Sequence, residues 1–185
     1  MATTGIQRLA AGAACALAIG AARADSMFSM FYQDTAGTTA SGWVQASDNG
    51  NGSFTATSGV LSITAGPAAL LGNYNLLGNP NAPAATVSPL GLFLYDNQLF
   101  PANNPVLDVN GLLFTGNDHE INIWGDGPDA YSGYAGMSNG YDYSNSTGSF
   151  TLTLVPLPPA AFAGLGTLAG VAGLGYIRRR HHVSV

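Results

Sequence analysis

The sequence predicts an all-β fold: an antiparallel β-sandwich-like exported domain flanked by an N-terminal signal helix and a C-terminal transmembrane helix. Three observations predict it. Short apolar runs bounded by Gly, Asn, Asp or Pro recur between residues 25 and 154, the pattern of strands joined by turns. From residue 37 on, Gly and Pro interrupt every stretch of ten residues there, and no apolar 3.6-residue period survives. An uncharged apolar segment stands at each end of the chain. The chain therefore divides into residues 1–24, 25–154 and 155–185.

The first segment carries one positive charge, Arg8, before an uncharged run of Ala, Leu and Ile. Ala22 and Ala24 then place small residues at the two positions a signal peptidase reads. The apolar run is shorter than the roughly 20 residues that span a bilayer, so a cleaved secretory signal is expected. Cleavage after Ala24 leaves Asp25 as the new N-terminus. Cys15 lies inside the apolar run with Gly12 three residues before it, a poor match to a lipoprotein site.

Strands are expected over residues 27–32, 43–46, 53–57, 60–64, 90–95, 112–115, 121–124 and 149–154. Phe150, Leu152 and Leu154 face one way, with Thr151 and Thr153 facing the other. Asn49-Gly50 and Asn51-Gly52 favour positive φ and predict a hairpin between the Trp43 and Phe54 strands. Residues 65–89 and 125–147 read as long loops, the second mobile. The last strand runs straight into the tail, which should leave from a sheet edge.

Residues 157–177 carry no charge, and as a helix they would reach about 31 Å, the thickness of a hydrocarbon core. Pro158 and Pro159 suit a first helical turn. Ala160, Phe162, Leu165, Leu168, Val171, Leu174 and Ile177 supply the apolar surface, while five glycines between 164 and 175 weaken the helix. Arg178, Arg179 and Arg180 follow at once, and by the positive-inside rule stay cytoplasmic. The preceding chain is thereby exported across the inner membrane and anchored by its tail.

Val155-Pro156-Leu157-Pro158, a glycine-rich apolar helix and a terminal arginine cluster together resemble the PEP-CTERM sorting signal in its VPLP variant. The resemblance covers about 30 residues of tail. Leu157 stands where the commonest form has Glu, and Pro159 where the variant usually has Ala. The resemblance implies recognition by an exosortase, a membrane-embedded cysteine transpeptidase, with removal of the tail. It also implies a host that makes exopolysaccharide or a biofilm matrix. More loosely, Asp96-Asn97-Gln98-Leu99-Phe100-Pro101, Val106-Leu107-Asp108 and Gly111-Leu112-Leu113-Phe114 resemble the exported part of small PEP-CTERM proteins. That pattern transfers no activity.

Composition narrows the partners. All five basic residues lie at positions 8, 23 and 178–180, and all ten acidic ones between Asp25 and Asp142. The exported part thus has ten acids, no Lys or Arg, and a formal charge of −10. Nucleic acid is excluded, because phosphate binding depends on basic side chains. Cys15 is the only cysteine and leaves with the signal, so no disulfide supports the remaining domain.

Three kinds of chemistry were weighed. His119, within Asp118-His119-Glu120, is the one histidine of the exported part, and any nucleophile–His–acid site would need it. A solvated turn before a strand explains the cluster better, and no Gly-x-Ser-x-Gly motif is present. Asp108, Asn110, Asp118, Glu120, Asp126 and Asp129 are oxygen ligands of the kind calcium uses. The rest of a calcium loop is missing after Asp108-x-Asn110-Gly111, and no cofactor is expected. Trp43, Trp124, Tyr131, Tyr134, Tyr141 and Tyr143 can stack on sugar rings, although core packing accounts for the same residues. The expected function is a non-enzymatic protein of the cell surface or extracellular matrix, handled by signal peptidase and exosortase and associated with exopolysaccharide. The alternative is a carbohydrate-binding module of the same layer.

Overall fold

The structure, a computed structural model, describes residues 25–156. Four long strands open and close the chain. β1 (Ser26–Asp34), β2 (Thr39–Asp48) and β3 (Phe54–Ala65) form a meander, and β11 (Gly140–Val155) returns to pair with β1. Between them lie β4 (Gly72–Leu76), β8 (Leu112–Gly116), β9 (His119–Gly127) and β10 (Ala130–Met137). Successive antiparallel pairings run β2-β1-β11-β10-β9-β8-β4-β3, and the β2–β3 pair joins the two ends. The sheet is therefore a closed eight-stranded barrel. The all-β reading holds. The two-sheet sandwich does not, because β2 pairs along its length with both β1 and β3 and leaves no seam between layers.

Alternation fills the interior. Phe28, Met30 and Tyr32 of β1 point inward, with Met27, Ser29 and Phe31 outward. Val44, Leu61, Ile63, Tyr74, Phe114, Ile121, Ile123 and Phe150 complete the core. The void among these side chains is only about 20 Å³. Eight strands enclose a space that side chains can just fill, and in this barrel they do. Its apolar interior and outward Ser29, Gln33, Thr151 and Thr153 are the reverse of a transmembrane barrel, whose interior is polar.

Residues 77–111 leave the barrel between β4 and β8 and cover the outside of β9. They contain β5 (Thr86–Val87) and β6 (Leu94–Tyr95), which pair with each other, and β7 (Gln98–Leu99), which pairs with β3. Phe93, Tyr95 and Leu113 make a second small core there. Asn97 fastens the excursion. It is fully buried with φ of 58°, its Nδ2 donates to Leu77 O at 2.7 Å, and its Oδ1 accepts from Leu113 N at 3.2 Å.

Several expected elements shift, each for a local reason. The hairpin at residues 49–53 forms, with φ of 81° at Gly50 and 86° at Gly52. The strands expected over 53–57 and 60–64 are one strand. A bulge opposite Gln45–Ala46 slips its phase between Ala56 and Gly59, which disguises the alternation. Of the run 90–95 only Leu94–Tyr95 is strand. The preceding residues turn around Ser88, whose Oγ accepts from Leu92 N and Phe93 N. The loop read over 65–89 contains a short 3₁₀ turn (Ala68–Leu70), β4 and β5.

The expected mobile loop over 125–147 is instead β10 and half of β11, at the centre of the wall. Gly125, Gly133 and Gly136 look like turn punctuation but are packing contacts. A Cβ on Gly133 would lie 2.5 Å from Tyr32 Oη, and one on Gly136 2.6 Å from Leu92 Cδ1.

The connections 35–38, 66–71, 117–118 and 138–139 lie at one end of the barrel, while the turns 49–53 and 128–129 and both ends of the described residues lie at the other. Met27 pairs with Val155, so the tail departs beside the N-terminus. β11 pairs with β10 from Gly140 to Gly148 and with β1 from Gly148 to Val155. The departing stretch is thus an edge, although the strand as a whole is interior. Phe150 and Leu152 face inward as expected, while Leu154 is exposed where β11 overruns the rim.

Candidate functional site

The six aromatic residues weighed for sugar stacking separate into three places. Tyr131 and Tyr143 point inward. Tyr131 packs on Phe150 with centroids 5.6 Å apart, and its Oη accepts from Val106 N at 2.9 Å. The Tyr143 hydroxyl donates to Asp34 Oδ2 and accepts from Thr38 Oγ1. Burial and that bond push it up to about 12. Trp43 sits on the outer face of β2, alone among the six.

The other three meet. Trp124 and Tyr134, on adjacent strands, have centroids 4.7 Å apart at 56°, and Tyr134 meets Tyr141 edge-on at 5.8 Å. Phe93 from the excursion extends the row to Tyr141 at 5.4 Å. The strand register explains the gathering: Tyr134 lies opposite Asn122 on one side and Ser144 on the other, so all three rings share the outer face of β9–β11.

Polar contacts hold the rings in place. Trp124 Nε1 donates to Asp126 Oδ1 at 2.8 Å, and Ser132 Oγ donates to Asp126 Oδ2. Tyr141 Oη donates to Leu92 O at 2.6 Å. A groove of about 610 Å³ runs along this row, walled by Leu92, Leu94, Val109 and Asn110 and floored by Asn122 and Trp124. Asn122 is buried. Its Nδ2 donates to Leu94 O at 3.2 Å and Asn110 O at 3.1 Å, while its Oδ1 has no partner. Two carbonyls facing Nδ2 fix the amide orientation and leave Oδ1 a buried acceptor beneath the groove. The aromatic row above it suits a ligand with apolar faces, as a sugar has.

Residues 118–120 do not form a catalytic site. His119 points into the barrel end. Its Nδ1 lies 2.7 Å from Asn117 O and its Nε2 2.7 Å from Asp142 Oδ2. Both ring nitrogens are thus engaged, and neither faces a hydroxyl nucleophile. Glu120 points outward under the excursion, and Asp118 lies on the exposed turn.

The oxygen ligands weighed for calcium also scatter. Asp108 Oδ1 accepts from Asn110 N and Gly111 N, Asp126 holds Trp124 and Ser132, and Asp129 Oδ1 accepts from Asn104 Nδ2 at 2.9 Å. Among the described residues no group of three or more His, Cys, Asp or Glu is arranged to hold a metal. Asp108 meets Asp96 instead, which is buried. Burial first, then the hydrogen bond to Asp108, push the Asp96 carboxyl up to about 6.

Of the expected sorting motif, Val155 ends β11 and Pro156 follows it. Leu157, Pro158, the tail helix, the arginine cluster and the cleavage residues Ala22 and Ala24 lie outside the described residues. Among the described residues no helix is long and apolar enough to cross a membrane. Asn122 and the burial of Glu120 were not anticipated. Their signal was present, since Glu120, Asn122 and Trp124 alternate with Ile121 and Ile123 and so share a face. The chain matches no family model, no curated protein and no solved structure.

Proposed function

We propose that this is an exported, non-enzymatic protein of the cell envelope or extracellular matrix. In this reading it is released from its signal by signal peptidase, sorted by an exosortase through the tail beginning at Val155, and retained in the exopolysaccharide layer. The supporting observation is where the ends lie. Met27 and Val155 are paired at one barrel end, so a membrane-held tail leaves the opposite end, with connections 35–38, 66–71, 117–118 and 138–139, facing outward. Mass spectrometry of the surface-located protein tests this. The expected product begins at Asp25 and lacks the arginine cluster. Residues 178–185 intact on surface-located protein would overturn the processing.

A second reading, carbohydrate binding in that same layer, is favoured by the Trp124–Tyr134–Tyr141 row over the unpaired Asn122 Oδ1. A glycan array including the host's exopolysaccharide should show binding that Tyr141→Ala weakens by about 1–3 kcal/mol, the scale of one lost aromatic contact. Uniform absence of binding counts against it.

A further inference from the structure

We propose that the outer face of the β8–β9 hairpin is a calcium site, held by the carboxylates of Glu120 and Asp118 and completed by the Thr115 hydroxyl. Glu120 is only 2% exposed. Its Oε1 accepts from Leu90 N at 2.8 Å, and its Oε2 is buried with no partner. A buried carboxylate oxygen without a donor is costly. No Lys or Arg exists among the described residues to neutralise it, and His119 is turned inward to Asp142. No cationic side chain among the described residues offsets this carboxylate, and a bound cation would do so.

The surroundings suit a hard cation. Thr115 is the cross-strand partner of Glu120, so their Cβ atoms stand about 4.5–5.5 Å apart on one face. Asp118 occupies a two-residue turn with φ of 49° at Asn117 and 62° at itself, and no hydrogen bond from another described residue reaches its carboxylate. Thr115, Asp118, Glu120 and Ser138 line one groove of about 630 Å³, beside Leu90. Two carboxylates, two hydroxyls and space for water match the irregular all-oxygen shell that Ca²⁺ accepts and Mg²⁺ does not. Asp108, Asp126 and Asp129 each have at least one carboxylate oxygen occupied by an internal donor. An ion here would also tie the hairpin to residues 88–91, which lead into the wall of the aromatic groove.

Calorimetry and thermal unfolding of the purified full-length chain with CaCl₂ or MgCl₂ at constant ionic strength test the site. The expected result is one Ca²⁺ per chain, with a Kd of roughly 10⁻⁴–10⁻³ M as in extracellular modules. Saturation should raise Tm on the order of 5 °C. Glu120→Gln and Asp118→Asn should each weaken binding at least about tenfold, with Asp129→Asn unchanged. Asp118 is on an exposed turn, so its variant keeps the fold and decides the matter even if Glu120→Gln does not. Absence of Ca²⁺ binding, or binding that survives Asp118→Asn, overturns the proposal. So does a Glu120→Gln chain that is more stable than wild type while wild type ignores the ion, since Glu120 would then carry a proton instead.

Discussion

Asp96 carries a charge in a place that resists it. Its Oδ1 accepts from Gln98 N and its Oδ2 from Asn110 Nδ2, which favour the carboxylate, but burial and Asp108 outweigh them. A carboxyl raised in the folded state binds its proton there before the unfolded chain does. Between roughly pH 4 and 6 the native state therefore holds more protons, and this group's contribution to stability grows as pH falls. A shift of about two units corresponds to roughly 2–3 kcal/mol. Urea unfolding from pH 7 to 4 should show wild type gaining stability relative to Asp96→Asn by about that amount. Parallel curves for the two proteins would refute the assignment. Asn97, next in sequence, has no such tension, because both ends of its amide are satisfied.

Strands β10 and β11 show why glycine is ambiguous as a signal. The Tyr32 ring lies against Gly133 of β10 and Gly148 of β11, where added Cβ atoms would lie 2.5 Å from Tyr32 Oη and Cε2 respectively. The ring cannot withdraw freely, because its hydroxyl donates to Asp34 Oδ2 at 3.3 Å. Gly148→Ala should then destabilise by about 1–3 kcal/mol through overpacking. Gly127 at the end of β9 meets nothing within 4 Å, and Gly127→Ala should be neutral within about 0.5 kcal/mol. Equal effects in chemical denaturation would mean that the close approach is not what selects glycine. Sequence patterning alone reads these residues as loop, since glycine is depleted in strands. The partner ring that justifies them is about 100 residues away in the chain.

Closure of the barrel is the property of the whole molecule on which the rest depends. It removes sheet edges along most of the wall, fills the interior, and leaves binding to the outer surface. It also sets both ends side by side. Residues paired across antiparallel strands have Cα atoms about 4.5–5.5 Å apart, within disulfide range. Met27→Cys with Val155→Cys should therefore oxidise spontaneously to an intramolecular bond, seen as faster migration on a non-reducing gel. The only native cysteine, Cys15, does not interfere if the signal is removed. Persistent free thiols would contradict the β1–β11 register.

Local information determined the all-β class, the turn at residues 49–53, the shared face of Phe150 and Leu152, and the acidic character of the described residues. Each depends on residue type and short spacing, which a strand or turn expresses by itself. Only the tertiary structure decided that the sheet closes, because closure rests on the β2–β3 and β1–β11 pairs acting together, the second joining the two ends of the domain. It likewise decided which of six scattered aromatic residues share a face, and that Glu120 and Asn122 lie beneath residues 77–111 with oxygens left over. Alternation puts Glu120 and Asn122 on one face, but it does not say that a segment distant in sequence covers that face.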